Sequence, residues 1–593
     1  MYHYEWDVET GGFILVTKMT GVAKEVRPVF SEELDFLQFN SQYGWEYPCC
    51  NAPLLWAEGR KYIYRGNVVA DVQGGGLYEA PKVHHVVFNL KLQPVNLQTM
   101  IAKNADILNG MEQKTVKDIY SIYENYQNKV DMIYVAFSGG KDSTVLLDLV
   151  QRSVPHNEFS VVFADTTMEL SDTYANIEAS KAFWPDLSWE TAKAKFSALE
   201  AWKFIGPPAR TIRWCCSVHK SAPSVMKIKK ILALKQKCSV KDIRQFKVLA
   251  FLGVRADESE ARSNYDMISD GGKHAVQINC NPILDWSLGE IFLYIFSKNL
   301  PLNQAYKYGL RRIGCKLCPM STSWSDCVQN YFYANEIRPF INIIQDGINK
   351  NFLTEQAWKE YMNYGGWKRR AGGNILTIGE NRITHIYSPK AEQFIIKNSK
   401  YSWKTWMPAL GALVEVEPDV YSLQWKNITL RLTVKNKEGN TVISFLPPVK
   451  TKETIRFLYL FKNAIYKAVY CENCRVCMAE CHFGALTITK DQIQIRDCTH
   501  CECCLDKPKG CVVAKSIMAT GENNMEIKNI DRYKTFGFRK EWVELYLSNP
   551  DGFWTNNRMG NRMFDAFKRW APEAGLINNN KSPSLFLDSF ISL

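Results

Sequence analysis

Between residues 129 and about 340, short apolar runs alternate with stretches of helical period. The runs "MIYVAF", "FSVVFAD", "KVLAFLGV" and "AVQINCNPI" are rich in β-branched and aromatic residues and have the length of buried strands. Between them, "STVLLDLVQRS", "ELSDTYANIEASKAF" and "SLGEIFLYIFSKN" space their apolar positions as amphipathic helices do. This alternation predicts an α/β domain, a parallel sheet with helices on both faces. Residues 1–98 read differently. "GGFILVTKM", "RKYIYRGNVVADV" and "HHVVFNLKL" are strand-like and "VQGGGLYEAP" is a turn, which predicts a β-rich N-terminal domain. A polar helical connector over 99–128 follows. Residues 341–460 form a mixed segment with strands such as "ITLRLTVKN", and 525–593 read as a helical, basic-aromatic C-terminal domain.

Composition narrows the class. The 593 residues are 46% hydrophobic and 23% charged, ordinary for globular domains with their own cores. The start lacks the basic and apolar regions of a signal peptide, and no apolar run approaches the ~20 residues that span a bilayer. A soluble, cytoplasmic protein without a membrane partner is the expectation. The formal net charge of +12 suits an anionic nucleotide or nucleic acid. Eighteen cysteines in a chain read as cytoplasmic point to metal or redox chemistry rather than disulfides.

Between the first strand and helix of the α/β region lies Ser138-Gly139-Gly140-Lys141-Asp142-Ser143. Glycines let backbone approach a phosphate, and the helix start supplies N–H groups and positive dipole. Ser138 and Ser143 add hydroxyls, Lys141 adds charge, and Asp142 is a candidate for holding Mg²⁺ through water. The spacing is not that of a Walker loop. It resembles the PP-loop of N-type ATP pyrophosphatases, which implies an adenine-nucleotide alpha-hydrolase-like fold with ATP and Mg²⁺ as ligands. "FADTTMELSDTY", "RWCCSVHK" and "GVRADESEAR" narrow the resemblance to the phosphoadenosine-phosphosulfate (PAPS) reductase branch over about residues 129–335. That resemblance places Asp165 and Thr166 near the adenosine. It turns Lys220 and Arg255 toward phosphate or sulfate, so that Lys141, Asp142, Lys220 and Arg255 are the candidate catalytic residues.

The cysteines fall into three sets. Cys471-x2-Cys474-x2-Cys477-x3-Cys481 is followed by Cys498-x2-Cys501-x2-Cys504-x6-Cys511. Such spacing lets three thiolates of one loop grip one face of a [4Fe–4S] cluster; four-thiolate sites also suit zinc. The two runs resemble a two-cluster bacterial ferredoxin, implying a ferredoxin-like α+β domain over 461–520. The resemblance assigns Cys471, Cys474, Cys477 and Cys511 to one cluster and Cys498, Cys501, Cys504 and Cys481 to the other. The second run is longer than usual, and Cys503 is left over. The third set, adjacent Cys215 and Cys216 with Cys315-x2-Cys318, resembles the set that holds a [4Fe–4S] cluster beside the nucleotide in adenosine-phosphosulfate (APS) reductases.

Reductases of this branch end in a Glu-Cys-Gly-Leu-His nucleophile, absent here: no cysteine follows Cys511. The intact PP-loop favours ATP. Together with the iron–sulfur signature it resembles the ATP pyrophosphatase of bacterial DNA phosphorothioation systems of the Dnd and Ssp types. That likeness implies an ATP-dependent sulfurtransferase acting on DNA or RNA, with a cysteine desulfurase or other persulfide donor and defence-system proteins as partners. Cys327, Cys280 and the pair Cys49-Cys50 are candidate persulfide carriers. The alternatives are a ferredoxin-fused APS or PAPS reductase producing sulfite, and a non-catalytic nucleotide-binding scaffold.

Overall fold

In the computed structural model of the chain, the described residues are 2–17, 25–240, 242–270, 276–347, 354–369, 382–388, 391–437, 439–489, 492–518, 540–550, 552–554, 561–573 and 576–578. The centre is a six-stranded sheet. Its order is Trp189–Lys193, Phe159–Asp165, Met132–Phe137, Val248–Leu252, Gln277–Cys280 and Ile268–Asp270. The first five strands are parallel and the last is antiparallel at the edge.

Alternation along the strands explains the layering. Ile133, Val135 and Phe137 face one way, into a core shared with Val145, Leu146 and Leu149 of helix Lys141–Gln151 and Ile291 and Leu293 of helix Leu288–Ser297. Met132 and Tyr134 face the other way, toward Trp202 of helix Ala198–Ile205 and Val225 and Ile228 of helix Ala222–Lys235. A strand has period two, so one apolar run feeds both layers. The parallel α/β expectation holds for the core. Trp189–Lys193 and Ile268–Asp270 carry too little apolar character for the sequence pattern to mark them.

The chain winds outward from Met132–Phe137 in one direction and then crosses back to add Val248–Leu252 on its other side. Such a switch point opens a crevice at the carboxyl ends of the two strands, where open α/β sheets bind ligands.

The N-terminal region is β-rich, as read: a hairpin of His3–Asp7 with Gly12–Val16, and an antiparallel meander of Val26–Val29, Leu55–Glu58, Lys61–Tyr64, Asn67–Gly74 and Pro81–His84. The connector is two helices, Leu97–Lys103 and Ala105–Tyr126. The first is capped by Asn96, whose side chain accepts from Thr99 N at 3.1 Å. Within 341–460 lies a six-stranded sheet spanning residues 383–445, all of its pairings antiparallel. Its inner residues Phe394, Leu423, Leu432 and Ile443 pack on Phe457, Leu460, Phe461 and Ile465 of helix Lys452–Val469. That core continues without a break into Trp202, Trp214 and Val218 of the central domain and Leu505, Val513 and Ala514 of the cysteine-rich segment. The segments read as separate domains up to Met518 therefore belong to one compact unit.

A second unit holds residues 522–593 together with 371–373. Its described part contains helices Lys540–Ser548 and Asn561–Glu573 around Trp542, Tyr546, Phe553 and Phe567, in keeping with the helical reading of the tail. Residues 533–539, read as the start of the first helix, lie outside the described residues. No helix among the described residues is long and apolar enough to cross a membrane.

Candidate active site and cysteine centres

The PP-loop occupies the switch point. Gly139 adopts φ +70°, and a Cβ there would stand 3.0 Å from Thr173 Cγ2. Its carbonyl accepts from Asn176 Nδ2 at 3.1 Å and Asn303 Nδ2 at 3.2 Å. A trans peptide sets its N–H opposite its carbonyl, so this double clamp turns the Gly140 N–H away from the two asparagines. Ser143 Oγ donates to the Gly140 carbonyl at 2.8 Å and lies 3.1 Å from Ser138 Oγ. Lys141 N donates to Tyr306 Oη at 3.0 Å. Asn176, Asn303 and Tyr306 sit 37 to 165 residues from the loop residues they hold, so spacing alone gave no signal of them.

Two buried cations share one carboxylate. Lys141 Nζ donates to Asp142 Oδ2 at 2.8 Å, and Arg255 Nε donates to Asp142 Oδ1 at 2.7 Å. Arg255 comes from the turn after the neighbouring strand, so the pair bridges the crevice. Burial alone would raise the Asp142 carboxyl, but Lys141 and Arg255 outweigh it and hold it below the usual range. Burial pushes the Lys141 ammonium down, against the pull of Asp142. Asp142 was expected to hold Mg²⁺ through water. In the structure each of its oxygens accepts from one cation, so the carboxylate also positions Lys141 and Arg255. Gly253 makes this approach possible: a Cβ there would meet Asp142 C and Ser143 N at 2.9 Å.

Asp165 and Thr166 end the strand beside the loop. Asp165 Oδ1 accepts from Tyr174 Oη and Thr167 N, both at 2.8 Å, and Oδ2 pairs with Lys193 at 3.1 Å. Thr166 Oγ1 donates to Glu169 Oε1 at 2.7 Å and stands 3.8 Å from Cys315 Sγ. Burial raises the Glu169 carboxyl. The Asp-Thr segment thus links the nucleotide crevice to the cysteines.

Cys216 opens a π-helical turn, Cys216–Ser221, a distortion frequent at functional sites. The turn brings Cys215 and Cys216 to the loop of Cys315 and Cys318. A hydrogen bond with Cys216, then burial and the neighbouring Cys315 and Cys318, push the Cys215 thiol well up. Burial carries Cys315 up to about 12, with exposed Lys220 pulling the other way. Behind the loop, buried Lys368 donates to Ser321 Oγ at 2.9 Å and Asp326 Oδ2 at 2.5 Å, and Ser321 Oγ donates to the Cys318 carbonyl at 2.6 Å. His219 lies on the same turn. It is 1% exposed, both its ring nitrogens lack a hydrogen-bond partner among the described residues, and Trp214 and Phe196 flank it. Burial lowers its pKa to about 4. It stands inside "RWCCSVHK" but was not singled out from sequence.

The eight cysteines of the ferredoxin-like runs lie close together in the 461–520 segment. Cys474 is influenced by Cys511, Cys477 and Cys471. Cys498 is influenced by Cys501 and Cys481, and these line one pocket with Cys503, Cys504 and also Cys477, which the sequence assigned to the other set. Short helices Val476–Ala479 and Val512–Met518 flank a hairpin of Leu486–Ile488 with Ile493–Ile495. Among the described residues no group of three or more Cys, His, Asp or Glu side chains is arranged as a metal site. The donor chemistry nonetheless fits a thiolate-held cluster. Lys467, 3% exposed, lies among them and donates to the carbonyls of Cys504 at 2.9 Å and Gly510 at 2.8 Å. Burial opposes its charge, yet Cys477, Cys511, Cys504 and Cys471 raise its pKa, as a counter-ion to thiolates requires.

Cys280 and Cys327 were candidate persulfide carriers. Both are buried, and burial pushes their thiols up to about 12 and about 11, which works against the thiolate. Cys49 is exposed and Cys50 half-buried in the N-terminal region.

A glycine turn and helix start at the switch point of a doubly wound sheet, with cysteines beside it, define an α/β domain of PP-loop fold. Residues 132–321 match the family model described as the phosphoadenosine phosphosulfate reductase domain. The uncharacterized protein MJ0066 of Methanocaldococcus jannaschii is 31% identical over 37% of this chain and 42% of its own length, so the chain spans less than half of that relative. An adenosine 5'-phosphosulfate reductase of Halalkalibacterium halodurans is 27% identical over 36% of this chain and 84% of its own length. A solved PAPS reductase of Candida auris is 18% identical, with 35% of this chain and 93% of that chain covered and a TM-score of 0.25.

Proposed function

We propose that the protein reduces an adenosine phosphosulfate to sulfite and AMP, with its own ferredoxin-like segment as the electron entry. One observation carries this reading. Helix Val476–Ala479, which holds Cys477, packs on the π-helical turn that begins with Cys216 and on helix Ala222–Lys235. Lys229 of that helix is buried beside Cys481, Gly484 packs on Arg244, and Ser516 Oγ donates to the Ile205 carbonyl at 3.1 Å. A fused cysteine-rich module seated on the nucleotide-side cysteines suits electron delivery.

The PP-loop amides with Lys141 and Arg255 would hold and neutralise the nucleotide phosphates. Iron–sulfur clusters, held by Cys215, Cys216, Cys315 and Cys318 and by the two ferredoxin-like sets, would supply one-electron transfer. In the overall reaction the S–O bond to the bridging phosphate oxygen breaks. That oxygen keeps the bonding pair and leaves with AMP. Two electrons from an external low-potential one-electron donor reduce the sulfur, and the sulfite formed takes up one proton. The reading is supported by the matched domain and by the APS reductase relatives. Anaerobic protein given APS and reduced methyl viologen should yield sulfite and AMP in equal amounts; AMP without sulfite would count against it.

A second reading rests on the intact Ser138–Ser143 loop. In it, ATP is cleaved to AMP and pyrophosphate while sulfur from a persulfide donor enters DNA or RNA. Pyrophosphate release stimulated by nucleic acid distinguishes it.

A further inference from the structure

The second cysteine run is longer than usual, and its extra residues have a partner. Residues 505–510, between Cys504 and Cys511, lie along one face of helix Lys452–Val469. Arg456 pairs with Glu502 at 3.1 Å and with Asp506, and Tyr459 Oη donates to the Asp506 carbonyl at 3.2 Å. Asn463 Nδ2 donates to the carbonyls of Leu505 at 2.9 Å and Lys507 at 3.1 Å. Lys467 Nζ donates to those of Cys504 and Gly510. Positions 456, 459, 463 and 467 have the spacing of one helix face. Gly510 has φ +66°, and a Cβ there would stand 2.5 Å from the Asn463 carbonyl oxygen, so loop and helix meet backbone to backbone. Lys467 differs from the other three. Its ammonium is buried 4.3 Å from the centroid of the buried Trp406 ring, and it pairs with no carboxylate among the described residues. Lys507, near Cys474, Cys477 and Cys511, is instead matched by Glu480. The groups that favour the Lys467 charge are the thiols of Cys477, Cys511, Cys504 and Cys471. A buried charge persists only beside a compensating one. Three of these four thiols belong to one set of the sequence assignment, Cys471, Cys474, Cys477 and Cys511.

We infer that Lys467 is a positioning residue and buried counter-ion for that set, and that its charge raises the reduction potential of the cluster the set would hold. The inference rests on the reading of these cysteines as cluster ligands. Reduction adds one electron from the external low-potential donor, breaks no bond and takes up no proton. Burial opposes the added negative charge, and a fixed cation nearby favours it. The lengthened run supplies the carbonyls of Cys504 and Gly510 that fix the ammonium, and Asn463 holds the loop that carries them.

Redox titration of the anaerobic full-length protein, followed by electron paramagnetic resonance, tests it, with Cys474→Ser identifying the signal of this set. Lys467→Gln keeps donors for the carbonyls and removes the charge. The midpoint of that signal should then fall by ~59 mV or more, a tenfold change in a one-electron equilibrium. Lys467→Arg should hold the midpoint near the wild-type value. Asn463→Ala, which loosens the loop and keeps the charge, should do the same. An unshifted midpoint in Lys467→Gln with full iron content overturns the inference and leaves the cluster reading standing. An equal fall in Asn463→Ala also overturns it, since loop geometry rather than charge would then set the potential. If Lys467→Gln takes up no iron, Lys467→Arg decides: full iron content supports a required charge, and none reduces Lys467 to a fold contact. Wild-type protein that holds no iron fails the cluster reading and the inference together.

Discussion

Asp142 is the residue on which the loop's charge balance turns. Asp142→Asn leaves Lys141 and Arg255 buried without their carboxylate, and breaking such a pair costs about 3–5 kcal/mol. The variant should melt lower than wild type. Added sulfate should recover more stability in the variant, because an anion replaces the lost charge; equal recovery by differential scanning fluorimetry would argue that the cations do not face a ligand site. His219 gives a pH prediction. Its folded pKa of about 4 lies below its ordinary 6.5, so the unfolded chain binds a proton that the folded chain refuses. Stability should be unaffected by this group above pH 6.5 and decline as pH falls toward 4. His219→Phe, which keeps a ring between Trp214 and Phe196, should flatten that decline in acid melting curves. The loop glycines, Lys141 and Asp142 were legible because they are contiguous. His219, Tyr306, Asn303 and Lys467 were not, because their meaning comes only from what the fold brings against them.

At the level of elements, the strands that were legible are those buried on both faces. Edge strands Trp189–Lys193 and Ile268–Asp270 are half polar and carry no such run. The antiparallel sheet of residues 383–445 was only partly visible, since one face meets solvent and its alternation is diluted by Lys, Thr and Ser. Two element-scale predictions follow from close approach. Gly253→Ala places a methyl 2.9 Å from the backbone at the start of helix Lys141–Gln151, and should weaken binding of every adenine nucleotide at least ~10-fold in titration if the strand end cannot yield. Gly484 has φ +63° and a Cβ there would stand 3.1 Å from Arg244 Cγ, so Gly484→Leu should loosen the docking of the cysteine-rich segment. Sulfite formation driven by methyl viologen should then fall while AMP affinity stays unchanged. Parallel loss of both would show that the variant damages the fold rather than the docking.

Across the whole molecule, one continuous core joins the nucleotide domain, the antiparallel sheet and the cysteine-rich segment. Sequence reading separated them because each has its own pattern; their packing depends on long-range contacts that no local period records. If the twelve cysteines assigned from the sequence hold three [4Fe–4S] clusters within that unit, anaerobic preparations should contain about twelve iron atoms per chain. Zinc in place of iron would remove the electron route. The central claim is that this unit couples the ferredoxin-like segment to reduction at the nucleotide site. The most direct measurement gives the anaerobic protein APS and reduced methyl viologen, and in a parallel reaction ATP with DNA and a persulfide donor. Sulfite and AMP from the first, with no pyrophosphate from the second, is the result expected; pyrophosphate and AMP from ATP, with no sulfite from APS, would contradict it.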